Sequence, residues 1–68
     1  MNDETREAII AYVQSMPKGK LFYTASLSFY LRRDMEIDVS PYALRYILPN
    51  IECVQPVRTG HRSQWKVI

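Results

Sequence analysis

The chain has 68 residues, 47% of them hydrophobic and 24% charged, with a formal net charge of +2 and a single cysteine. A chain this short makes one domain, residues 1–68, and buries only about 60% of the surface its unfolded form exposes. One cysteine excludes an internal disulfide and cannot alone build a zinc site, and no apolar run approaches the roughly 20 residues of a membrane span.

The first helix is expected from Asp3 to Met16. Asn2 or Asp3 can cap it, and Glu4 and Glu7 lie at its positive end. Ile9, Tyr12, Val13 and Met16 recur at helical spacing and predict a core-facing stripe. Ile10 lies off that stripe and is the candidate contact for a later strand, a partner or a second copy. Pro17-Lys18-Gly19-Lys20 breaks the helix. Leu21-Phe22-Tyr23 reads either as a short strand or as an extended lead-in. Thr24 is the expected N-cap of a second helix running from Ala25 to about Arg33, with Leu27, Tyr30 and Leu31 on its core face and Phe29 partly buried beside them. Asp34 to Val39 connects onward, with Ile37 and Val39 tucked inward.

The stretch Ser40-Pro41-Tyr42-Ala43-Leu44-Arg45-Tyr46-Ile47-Leu48 predicts a short, sharply bounded third helix. Ser40 offers its hydroxyl to the first-turn amides, and Pro41 fits the first helical position because its missing N–H is not needed there. Leu44, Ile47 and Leu48 share one apolar face, while Pro49-Asn50 stops the helix after about two turns. The chain then turns to β character. Ile51 to Gln55 begins a strand, with Cys53 expected to be buried in it, and Pro56 suits an edge position or a strand end. Arg58 to Ser63 forms a polar tip, and Gln64 to Ile68 returns with Trp65 and Val67 on one side.

The charge is unevenly spread. Residues 1–39 carry five Lys or Arg against six acids, whereas residues 40–68 carry Arg45, Arg58, Arg62 and Lys66 against Glu52 alone. The basic half thus contains the third helix and everything after it, a modest nucleic-acid signature. No constellation points to catalysis. There is one histidine, no glycine-rich phosphate loop and no histidine pair at metal spacing, and serines 26, 28, 40 and 63 lack a nucleophile elbow. A non-enzyme without cofactor or metal is expected. The acidic start Met1-Asn2-Asp3-Glu4 lacks the basic and apolar regions of a signal peptide, so a reducing, cytoplasmic setting is the expectation.

This order of helix, short extended run, helix, tight connection, short capped helix and hairpin resembles the winged helix-turn-helix superfamily over nearly the whole chain. The likeness is carried by Thr24 through Leu31, by Val39-Ser40-Pro41, and by Leu44, Ile47 and Leu48. Gly60 at the hairpin tip and Trp65 on the returning strand extend it. The connection Asp34 to Val39 departs from the pattern in having no glycine, and the third helix is short. The resemblance implies an α+β fold with three helices followed by a C-terminal β-hairpin wing, and a small double-stranded DNA-binding regulator or accessory factor of the kind phages and plasmids use. Its third helix would enter the major groove with Ser40, Tyr42, Arg45 and Tyr46, and its wing would meet the backbone or minor groove with Arg58, His61 and Arg62. For Tyr42 and Tyr46, packing at the core or its rim stands ahead of base contact. The alternative use of the same fold is protein docking through the tyrosine-bearing face. Stacking of single-stranded nucleic acid on the two rings is a third.

Overall fold

The computed structural model describes residues 3–59 and 62–68, without the side chains of Arg58, Thr59, Arg62 and Ser63. Asn2, one of the two expected caps of the first helix, and Gly60 and His61 at the hairpin tip lie outside the described residues. The architecture is α+β: α1 (Asp3–Gln14), β1 (Leu21–Tyr23), α2 (Thr24–Met35), α3 (Pro41–Ile47), a single 3-10 turn (Leu48–Asn50), β2 (Val54–Thr59) and β3 (Arg62–Val67). The strands form one antiparallel sheet in the order β1-β3-β2, so the last strand of the chain lies in its centre. Three helices and a small three-stranded antiparallel sheet in this order are consistent with a small winged helix-like fold. No helix among the described residues is long and apolar enough to cross a membrane.

Ile9 and Val13 of α1 are fully buried, and Tyr12 and Met16 pack at the edge of the core, as the helical spacing predicts. The helix stops at Gln14, two residues short of the expected end. The amides of Ser15 and Met16 tighten to carbonyls three residues back, Tyr12 at 3.2 Å and Val13 at 3.0 Å, as the chain approaches Pro17. Gly19, at φ +90°, supplies the left-handed turn that points the chain into β1, and its amide donates to the Val67 carbonyl at 2.7 Å. The Leu21-Phe22-Tyr23 run is a strand. It pairs with β3 in the register Leu21↔Lys66, Phe22↔Trp65 and Tyr23↔Gln64.

Thr24 is not the N-cap of α2. That position belongs to Tyr23, which makes no capping side-chain bond, and Thr24 is already helical. Its hydroxyl oxygen is used otherwise: it accepts the Trp65 indole N–H at 3.0 Å inside the core. A buried indole needs such a partner, because an unmet N–H retains its full desolvation penalty. Phe29 is also not half-buried but 60% exposed. It stands two residues from both Leu27 and Leu31, about 200° around the helix from each, and so faces away from the core they enter.

Helix α2 runs past Arg33 to Met35 and ends without glycine. Glu36 takes the left-handed conformation (φ 55°, ψ 32°), and the amides of Glu36 and Ile37 both return to the Leu31 carbonyl. This lets Val39 enter the core with Ile37 half-buried, as expected. Strand β2 begins at Val54 and not at Ile51, because Glu52 and Cys53 form a turn after the 3-10 segment. Cys53 is half-buried there, outside the strand. The backbone of β3 starts two residues earlier than expected, with Arg62 paired to Thr59. Pro56 lies within β2, which is an edge strand.

Two substitutions test these devices. Thr24→Val removes the hydroxyl that accepts the buried Trp65 indole N–H and should lower the unfolding free energy by about 1–3 kcal/mol in urea denaturation. Glu36→Gly relieves a left-handed conformation that a side chain disfavours and should raise it by about 1 kcal/mol.

Candidate nucleic-acid interface

Helix α3 is short because Pro49 ends it, and it is held at both ends. The Ser40 hydroxyl accepts the Ala43 amide at 3.2 Å, and Pro41 occupies the first turn. At the other end the Asn50 side-chain amide donates to the Tyr46 carbonyl at 2.8 Å. Arg6 of α1 in turn donates to the Asn50 carbonyl at 3.3 Å. Before the helix, Ser28 of α2 donates its hydroxyl to the Val39 carbonyl, and Arg32 bonds Asp38 at 3.0 Å. Leu44 and Leu48 are fully buried beneath, and Ile47 is half-buried. The inner face of α3 is thus fixed to the core and its outer face is left free.

That outer face carries Tyr42, Arg45 and Tyr46. The tyrosines are 74% and 78% exposed, so the packing role expected for them is not what they have. Each stands two residues from the anchor Leu44 and so points about 200° away from it. Arg45 is exposed and, among the described residues, has no hydrogen-bond or ion-pair partner. No acidic residue occurs from Val39 to Ile51. Ser40 is exposed, but its hydroxyl is engaged in capping.

An open groove of about 460 Å³ runs between the first turn of α2 and the first turn of α3. Its predominantly apolar walls come from Tyr23, Ala25, Pro41 and Tyr42, with Thr24, Ser26 and Arg45 completing the lining. The structure therefore brings Tyr42 and Arg45 together with Tyr23, Ala25 and Ser26, which the sequence did not single out. The missed signal is the absence of any loop between β1 and α2, which sets Tyr23 at the helix entry. Of the expected wing residues, Arg58 and Arg62 lie on the paired backbone of β2 and β3, and His61 is outside the described residues.

The other basic positions differ. Arg33 holds Asp34 through two bonds, of 2.8 and 3.1 Å, and lies over the rings of Tyr30 and Phe29. The Tyr12 hydroxyl donates to the same carboxylate at 2.6 Å. Arg32 is paired with Asp38. These two arginines are thus already matched by acids, whereas Arg45 has no such match among the described residues. Ile10 is half-buried and lines a shallow depression with Arg6, Gln14, Asn50, Ile51, Glu52 and Cys53.

Comparison with family models, with curated proteins and with solved structures finds no match to the chain. The geometry of the chain itself carries the functional reading.

The Arg33 guanidinium, and after it the Tyr12 hydroxyl, hold the Asp34 carboxyl down to about 2 from its ordinary 3.8. Because the folded value is the lower one, what this cluster adds to stability is present above the ordinary carboxylate range and is lost as pH falls toward 2. A carboxyl NMR titration should place the Asp34 midpoint near 2. In Arg33→Ala the midpoint should move back toward the ordinary value.

Proposed function

We propose that this domain binds double-stranded DNA, with α3 in the major groove and the β2–β3 hairpin as a wing on the backbone. The observation that carries the reading is the outer face of α3, where Arg45, unmatched among the described residues, stands between two tyrosines more than 70% exposed, on a segment free of acids. Arginine offers a planar fork for guanine edges or phosphates, and tyrosine hydroxyls suit phosphate oxygens. The basic excess of residues 40–68 supports it, with Arg58, His61 and Arg62 assigned to the wing and Ser40 to the entry of α3. The domain acts as a small transcriptional regulator or accessory factor by occupying its site, alone or as a homodimer through the Ile10 region. It performs no catalytic step and needs no cofactor. A reducing, cytoplasmic setting accompanies this reading, since its lone Cys53 has no partner for an internal disulfide.

The same exposure of Tyr42 and Tyr46 favours a second reading, a protein-docking module with the two rings as anchors. Titration against mixed-sequence duplex at several salt concentrations separates the two. DNA binding predicts that log K falls with log salt by about 0.9 per phosphate neutralised. Arg45→Ala, Arg58→Ala and Arg62→Ala should each flatten that slope by about one unit. Absence of binding at about 50 mM salt rejects the DNA reading and leaves docking, in which Tyr42→Ala or Tyr46→Ala would be the costly changes.

A further inference from the structure

The groove between α2 and α3 is poorly suited to a fully paired duplex alone. A sugar–phosphate chain presents charge and polar oxygens, and gains little from walls built of Tyr23, Ala25, Pro41 and Tyr42. An unpaired nucleobase presents a flat π face that stacks on such rings whatever its sequence. Within a duplex those faces are covered by neighbouring bases, so only a base that is flipped, frayed or overhanging can offer them. The one charged residue of the lining is Arg45, which is cationic, exposed and unmatched among the described residues, and no acid contributes to the walls. An apolar, aromatic cleft with a single cation matches a nucleotide, which joins a stacking ring to a phosphate.

Resting on the DNA reading above, we infer that this groove is a subsite for one unpaired nucleotide. Its base stacks against Tyr23 and Tyr42, and its phosphate meets the Arg45 guanidinium. The domain therefore prefers a duplex that carries an unpaired base beside the paired segment, such as an overhang, a bulge or a melted end.

The test compares one labelled hairpin duplex in two forms, fully paired and extended by three unpaired thymidines, by fluorescence anisotropy at fixed salt. The extended form should bind about tenfold more tightly, the range that stacking of a single base supplies. In Tyr42→Ala the two forms should bind with equal affinity, whatever the change shared by both. Tyr46→Ala is the control, being on the same helix and equally exposed but outside the groove lining, and should keep the preference. Both side chains are largely solvent-exposed, so neither change removes core packing, and thermal melts of the variants check this. Equal affinity of the unaltered protein for the two forms overturns the inference and leaves the duplex reading standing. A preference that survives Tyr42→Ala overturns the assignment to this groove. Failure to bind either form rejects both readings, whereas binding of the extended form alone supports the subsite and rejects duplex recognition.

Discussion

The hydrogen bond from the Trp65 indole to the Thr24 hydroxyl, buried in the core, ties the last strand of the chain to the first turn of α2 across 41 residues of sequence. Joining segments this far apart costs chain entropy that local contacts do not offset. The Phe22↔Trp65 pairing reinforces it, because β3 enters the sheet between β1 and β2. The start of α2 is consequently fixed by the end of the chain. With no loop between β1 and α2, the direction of α2 follows the sheet, and α3 is placed relative to both.

From that frame the position of α3 follows by short steps. Ser28 and Arg32 of α2 hold the connection at Val39 and Asp38, Ser40 caps the new helix, and Leu44 and Leu48 seat it on the core. Arg6 and Asn50 hold the far end. A helix of seven residues would not persist alone in water, so its orientation depends on these ties. The fixed inner face is what leaves Tyr42, Arg45 and Tyr46 presented together. Charge is sorted in the same way, with the arginines of α2 matched to nearby aspartates and the arginine of α3 left unmatched among the described residues.

Much of this was legible in the sequence wherever one local rule sufficed. Helical spacing found Ile9 and Val13 of α1 and Leu27 and Leu31 of α2, though Tyr30, expected beside them, is half-buried under Arg33 outside the core cluster. The Ser40-Pro41 entry with the Pro49 stop bounded α3 to within a residue. Alternation placed Trp65 and Val67 on the buried side of β3. The misses arose where a distant partner decided the outcome. Thr24 looks like a cap to its neighbours, but Trp65 claims its hydroxyl and shifts the helix start. The groove was invisible for the same reason, since its walls come from segments that meet only after α2 and α3 are set on the sheet. Phe29 is a local miss, because two residues from both Leu27 and Leu31 is the outward side of the helix. Tyr42 and Tyr46 lie off the apolar face of α3 as its spacing implies, but they are more exposed than rim packing would leave them.

The two edges of the sheet have a further consequence. A strand edge with a continuous row of free amides is a template for pairing with other chains. Here β1 is only three residues long and is entered through Gly19 and Lys20, while β2 carries Pro56, which has no amide hydrogen to donate, in its middle. Neither edge offers an incoming strand more than a short or interrupted ladder. A domain with so small a core, one that opens more readily than a large one, is thereby guarded against sheet-to-sheet aggregation and strand exchange between copies.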